Sequence, residues 1–329
     1  MNQSERGVEG MVVIGIDLGG SAVRLSTVTS AGRLRYSKSV DISARREQKY
    51  VLDAIINSIN ELITIEKKRG NKVVSIGIGS PGTIDLRKGV VVTSANFKGW
   101  KDVPLKKLLE KGVNLPVVLD NDANTAAFGE KWKGAGRKVN SLICLTMGTG
   151  IGGGIVLDGD IWHGADGMAG EIGHMTVNPE GPRCNCGNTG CLETYSSATG
   201  MVRSAIDSIS NGKKTILKQL SGRDNNRITA KMIHEAALLG DRLSTEILTE
   251  AGKYLGIAMA SLINILNPEM VILTGAVTGA WDFFMPSAMQ EVERRAYKAL
   301  ADRTRIVPGK LPGTAGIVGA AGLAFRQVA

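Results

Sequence analysis

Proline is scarce, with 9 residues against 42 glycines in a chain of 329, which excludes Pro-rich linkers and points to many tight glycine turns. Long apolar runs are missing too. The longest, Leu255 to Leu266, is interrupted by Asn264 and closed by Asn267-Pro268, so it falls short of the roughly 20 residues of a spanning helix and reads as a core helix. The first ten residues carry Glu5, Arg6 and Glu9 without the apolar stretch of an export signal, so a cytoplasmic protein is expected. Basic residues fall in scattered pairs such as Arg45-Arg46 and Lys106-Lys107, without aromatic interleaving or an arginine-rich tail, and neither nucleic acid nor a membrane is expected as a partner. No G-x-x-x-x-G-K-[ST] occurs, which excludes a Walker-type phosphate loop.

What is present is a globular composition, 43% hydrophobic and 22% charged, in a chain long enough for two domains. The net charge of 40 − 31 = +9 suits an anionic ligand such as a nucleotide and equally suits nucleic acid, so the charge alone does not choose. Met11 to Ile16 reads as a buried strand ending at Asp17-Leu-Gly-Gly20, and Val23 to Thr29 resumes as a strand. The design recurs at Ser141 to Thr146, Gly148 to Gly154 and Ile155 to Leu157, which suggests a duplicated α/β architecture. Between the two copies, apolar residues at helical spacing run from Val51 to Arg69 and precede a strand at Val73 to Ile78. A second helix is expected at about Ala251 to Leu266, ahead of the strand Glu269 to Leu273.

Three glycine-bearing loops follow apolar strands: Asp17 to Arg24, Gly148 to Gly154 and Thr274 to Val277. Glycine at close spacing lets backbone N–H groups approach an anion unobstructed, so the three together favour nucleotide binding. The second formally matches G-x-G-x-x-G, but Gly154 to Gly159 looks like a hairpin rather than the helix a dinucleotide site requires. Val117 to Asn124 is a strand running into Asp120, Asn121 and Asp122, where an acid serves either as a general base or as a helix cap; the residues leave both open.

The four cysteines are unevenly placed, for Cys184, Cys186 and Cys191 lie within eight residues of one another. With His174 they make the ligand set of a closed tetrahedral zinc site that holds a loop rather than performing chemistry. His163 and His234 read as ordinary polar or packing residues, and Cys144 as inert core.

Asp17-Leu-Gly-Gly20, Ser80-Pro-Gly82, Asn96 to Trp100, Asn121-Asp-Ala-Asn124, Gly148-Thr-Gly150, Glu171-Ile-Gly-His174 and Cys184-x-Cys186 through Glu193 resemble, in this order, the ROK family of sugar kinases and sugar-responsive repressors, within the actin, sugar-kinase and heat-shock-protein superfamily. The resemblance implies two actin-like, ribonuclease H-like domains with a cleft between them and a structural zinc loop in the larger one. The small domain would comprise 11–121 plus 313–329 and the large one 122–312. It implies Asp122 as catalytic base, and Gly82, Asn96, Asn121, Asp122, Glu171, His174 and Glu193 around the sugar. Asp17, Gly19, Gly20, Ser21, Gly148, Thr149 and Gly150 would serve the phosphates, with Asp17 holding magnesium, directly or through water. Gly275, Ala276 and Val277 would serve the adenosine of ATP, and His174, Cys184, Cys186 and Cys191 the zinc.

The activity implied is ATP-dependent phosphorylation of a hexose 6-hydroxyl. Glucose is favoured because Glu171 to Met175 and Asn96 to Trp100 look most like the glucokinase branch; N-acetylmannosamine, N-acetylglucosamine and fructose are alternatives. A sugar-responsive regulator is the non-enzyme alternative, disfavoured because only sixteen residues precede Asp17, too few for a helix-turn-helix. Homodimers or homotetramers are common among such relatives. Ser21-Ala22 and Gly275-Ala276 depart from the more usual Thr followed by Lys or Asn, and from Gly-Gly. The departures bear on nucleotide preference.

Overall fold

The computed structural model describes residues 10–328 apart from Ala95 and Lys98, so the polar leader from Met1 to Glu9 lies outside the described residues. Three strands, β1 (Met11–Leu18), β2 (Ala22–Thr29) and β3 (Leu34–Asp41), form an antiparallel meander; helix α1 (Gln48–Lys68) then leads to β4 (Lys72–Ser80), which lies parallel to β1. Strands β5 (Thr83–Asp85), β6 (Val90–Thr93) and β7 (Lys101–Val103) make a small antiparallel sheet. Helix α2 (Leu105–Val113) returns the chain to β8 (Val117–Asn121), parallel to β4, and helix α3 (Asp122–Trp132) follows without a loop. The first sheet therefore runs β3-β2-β1-β4-β8.

The second sheet repeats that order. It is built from β9 (Leu142–Met147), β10 (Ile151–Leu157), β11 (Asp160–Ile161), β12 (Met270–Thr274) and β13 (Arg305–Pro308), arranged β11-β10-β9-β12-β13. Both sheets mix antiparallel hairpins with parallel pairs, as the repeated strand–glycine turn–strand pattern implies. The segment after Gly154 is a hairpin, β10 to β11, which removes the dinucleotide reading of Gly148 to Gly154. Further helices include α4 (Glu193–Ser196), α5 (Arg242–Leu266), α6 (Trp281–Arg295) and α7 (Ala315–Val328). Helix α5 begins nine residues before the expected Ala251, because the Asp241 side chain accepts from Ser244 N and caps a polar first turn. No helix among the described residues is long and apolar enough to cross a membrane.

Contacts divide the described chain into two units. One comprises the residues up to Cys144, Gly154–Gly170 and Gly309 onwards; the other comprises Leu145–Gly153 and Glu171–Pro308. The stretch from Asp122 to Cys144, expected with the larger domain, falls in the first unit, where α3 packs on α7.

Strand β1 explains the layering of the first unit. Ile14 and Ile16 join the cluster that includes Ile55 and Ile59 of α1, while Val13, on the other face, packs with Ile317 and Ala321 of α7. Helix α7 lies unusually close to its neighbours. A Cβ at Gly77 would stand 1.8 Å from Ala320 O, and one at Gly319 would stand 1.6 Å from Thr125 O. This closeness sets the N-terminus of α7 beside Asp17, the carboxyl carbon of which would lie 3.2 Å from a Cβ at Gly316. A cavity of about 550 Å³ opens toward the other ends of these elements, among Met11, Phe128, Trp132 and Phe325, and holds none of the expected site residues.

Substituting Gly319→Ala is expected to lower stability by about 1–3 kcal/mol through overpacking of α7 on α3. Gly279→Ala, where a Cβ meets nothing within 4 Å, is the control and should leave the unfolding midpoint unchanged. Calorimetry of the two variants checks this, and equal midpoints would contradict it.

Candidate active site and metal centre

In the first unit the chemistry gathers at the C-terminal end of the parallel strands, where side chains emerge from the sheet. Strand β8 pairs with β4 through Ser80 and Asn121, and α3 starts at the next residue. Three consecutive polar residues then take different tasks. Asp120 is buried, and its Oδ1 accepts from Asn121 N at 2.7 Å and from Asn124 Nδ2 at 3.0 Å. Asn121 is the helix cap, with Oδ1 accepting from Ala123 N at 2.8 Å and Asn124 N at 3.3 Å. Asp122 is the first helical residue, half-buried, with Oδ1 2.9 Å from Ala123 N. The capping alternative for the acids thus falls to Asn121. Its oxygen is occupied, and its Nδ2 reaches Gly82 O at 3.5 Å, so toward a sugar it offers only donors.

Gly82 takes a φ of +107°, and a Cβ there would lie 2.2 Å from Thr93 O. The residue must be glycine for the β4–β5 turn to close. Asn96 is exposed, and its Nδ2 would lie 2.9 Å from a Cβ at Gly20, so the expected sugar residue and the expected phosphate loop meet within this unit. The loop is itself tight, with Gly19 N donating to Ala22 O. Ser21 is exposed at its tip, and its carbonyl accepts from Ile42 N. At the end of β1, Asp17 Oδ2 lies 2.6 Å from Arg24 Nη2, and Arg24 Nη1 reaches Gly313 O at 3.3 Å. Burial pushes the Asp17 carboxyl above the ordinary carboxylate range, while Arg24 draws it back.

His163, which reads in the sequence as an ordinary polar residue, places Nε2 2.8 Å from Asp120 Oδ2. The hydrogen bond to Asp120 raises the imidazole pKa, against the opposing effect of burial. No local signal marks this pair, which is 43 residues apart in sequence.

In the second unit, the expected residues collect around Ile151, immediately after the Gly148–Gly150 loop. Glu193, in the first turn of α4, accepts from Ile151 N through Oε2 at 2.9 Å. A Cβ at Gly173 would lie 2.1 Å from Ile151 O, so the Glu171–His174 turn presses on the same residue. Thr149 is bonded through its carbonyl to Thr199 N at 3.4 Å. Glu171 is exposed, with Oε2 3.9 Å from His174 Nε2. Gly275, at φ +102°, packs on Met147 at the end of β9, where a Cβ would stand 2.4 Å from the Met147 carbonyl oxygen. Ala276 is exposed, whereas the Val277 side chain is buried and faces the core, leaving its backbone for a nucleotide.

The cysteine loop fits a metal. One donor atom from each of His174, Cys184, Cys186 and Cys191 lies within 4.8 Å of the others. Cys184 Sγ to His174 Nδ1 and Cys186 Sγ to Cys191 Sγ are both 3.7 Å. A tetrahedron with Zn–S bonds of about 2.3 Å has edges of about 3.8 Å, whereas a disulfide would need about 2.05 Å. Cys144, by contrast, is fully buried in β9, and burial pushes its thiol far up, as suits inert core.

A model of the ROK family matches residues 13–327. The chain is 38% identical over 315 residues to a glucokinase of Halalkalibacterium halodurans, covering 95% of each. It is 32% identical to a putative xylose repressor of Caldicellulosiruptor sp., covering 96% of this chain and 79% of that one. Among solved structures, a ROK family glucokinase from Streptomyces griseus in complex with glucose and AMPPNP is similar with a TM-score of 0.81 and 32% identity, over 96% of this chain and 99% of that chain.

Two expectations follow from the geometry. Elemental analysis of the purified protein should find a single zinc ion per chain, lost in Cys186→Ser; a metal-free wild-type protein that is equally stable would contradict the zinc reading. For His163, folding raises the pKa, so the Asp120 pairing contributes stability fully below about 6.5, the ordinary imidazole value, and loses it as pH rises through the folded-state value. Asp120→Asn should bring the His163 titration, followed by NMR, down toward that ordinary value. An unchanged titration would exclude the pairing.

Proposed function

The chain belongs to the ROK family, and from that membership we propose that it is an ATP-dependent hexokinase acting on the 6-hydroxyl of glucose. The observation that carries the proposal is the β8–α3 junction, where Asn121 caps the helix and Asp122 stands half-buried as the first helical residue at the C-terminal end of the parallel strands. Phosphoryl transfer needs an in-line hydroxyl and neutralised phosphate charge. In this reading Asp122 orients the sugar 6-hydroxyl and accepts its proton as the oxygen attacks the γ-phosphorus.

In the second unit Glu171, His174 and Glu193 take sugar hydroxyls, and in the first unit Asn96, Asn121 and the Gly82 turn are the sugar residues. Backbone donors of the Asp17–Ser21 and Gly148–Gly150 loops hold the phosphates, and Gly275 to Val277 the adenosine. Magnesium, when bound, would neutralise phosphate charge; Asp17 would hold it through water, because Arg24 already occupies one of its oxygens at 2.6 Å. Zinc on His174 and the three cysteines would fix the loop between the sugar residues Glu171 and Glu193, consistent with work in a reducing cytoplasm. Assembly as a homodimer or homotetramer belongs to the same proposal.

A second reading, a sugar-responsive regulator, is favoured by the similarity to the putative xylose repressor. Turnover separates the two, because a regulator binds sugar without transferring phosphate.

A coupled assay with a panel of hexoses and ATP should give the highest kcat/KM with glucose. Asp122→Asn should lower kcat by about 10²–10⁴-fold while glucose binding survives. Near-normal turnover in that variant would remove Asp122 from the role.

A further inference from the structure

We propose that Glu193 is a positioning residue for the nucleotide as well as a sugar ligand, because its carboxylate locks the Gly148–Gly150 loop in the conformation that receives phosphate. The inference rests on the proposed kinase reading and concerns residues of the second unit alone.

A trans peptide is planar, so a carbonyl and the N–H that follows it point in opposite directions. Gly148 O accepts from Ala198 N at 2.9 Å, and Thr149 O accepts from Thr199 N at 3.4 Å. Both carbonyls are thereby drawn toward the segment after α4, which turns the N–H groups of Thr149 and Gly150 away from it, outward for an anion. The third peptide of the loop, Gly150–Ile151, is fixed by a side chain. Ile151 N donates to Glu193 Oε2 at 2.9 Å, and Gly150 O accepts from Gly148 N at 2.9 Å on the opposite side of that peptide.

The carboxylate fits only because residue 150 lacks a Cβ, which would stand 2.3 Å from Glu193 Oε2. Once the acceptor is gone, the bond from Gly148 N to Gly150 O alone restrains this peptide, and the glycine lowers the barrier to its reorientation. Glu193 lies two residues from Cys191, and Thr194 returns both its N and its Oγ1 to Cys191 O, at 2.9 and 2.7 Å. The backbone on either side of Glu193 is therefore tied together behind the carboxylate that holds the loop. A sugar that engages Glu193 meets a carboxylate already tied to the phosphate loop.

The test is calorimetric binding of magnesium AMPPNP without sugar, and of glucose alone, to the full-length protein and its Glu193→Gln, Glu193→Ala and Glu193→Met variants. Glutamine keeps an oxygen acceptor but removes the charge; alanine and methionine remove the acceptor, and methionine also preserves volume should the alanine variant fail to fold. AMPPNP should bind the Gln variant at least as tightly as the parent. It should bind the Ala and Met variants about tenfold more weakly than the Gln variant, the loss of one hydrogen bond to an acceptor in a shielded site. Glucose affinity should fall in all three. If Ala and Met match Gln for AMPPNP while glucose binding falls, Glu193 is a sugar ligand only and the positioning role is overturned, with the kinase reading intact. If AMPPNP binding weakens but glucose binding is unchanged, the positioning role stands and Glu193 leaves the sugar pocket.

Discussion

The geometry of the first unit depends on the hydrogen bonds that end β8 and begin α3 without an intervening loop. Asn121 Oδ1 satisfies the first free N–H groups of the helix, which permits a strand residue to be followed directly by a helical one. The strand period sends Asp120 inward to Asn124 and His163, and the helix start turns Asp122 aside. The close packing of α7 against β4 and α3, with no room for a Cβ at Gly77 or Gly319, holds this junction and Asp17 to one rigid layer.

The second unit has an analogous centre at Ile151. Its N–H is taken by Glu193, and its carbonyl lies under Gly173 of the Glu171–His174 turn. His174 belongs both to that turn and to the four-donor cluster, so the metal loop, the two expected sugar carboxylates and the glycine loop form one continuous set of contacts. A closed tetrahedral site suits this task, because four protein donors leave no position for substrate and fix the chain between them.

Much of this was legible in the sequence because it is local. Apolar runs ending in glycine mark β1 and β9 with their loops, and the repeated pattern marks the duplicated sheet order. The Cys-His spacing within 18 residues marks the four-donor cluster, since short spacing alone brings the donors near. Contacts between distant segments were not legible. The Asp120–His163 pair joins a strand end to a hairpin 43 residues on, and the Glu193–Ile151 bond spans 42. Strand β3 is half-exposed along its length, so its alternation carries little apolar signal. The placing of α3 in the first unit follows from its fit to α7 at the far end of the chain, a long-range packing that no local period encodes.

In the proposed mechanism Asp122 accepts the proton of a hexose 6-hydroxyl. Its most direct test is a crystal structure of the protein with glucose and a non-hydrolysable ATP analogue, in which the distance from the Asp122 carboxylate to the sugar O6 is read. Proton acceptance by Asp122 requires hydrogen-bond reach, about 2.6–3.2 Å, with O6 in line with the γ-phosphorus. A sugar bound with O6 well beyond that reach, or bound against a different carboxylate, would contradict it.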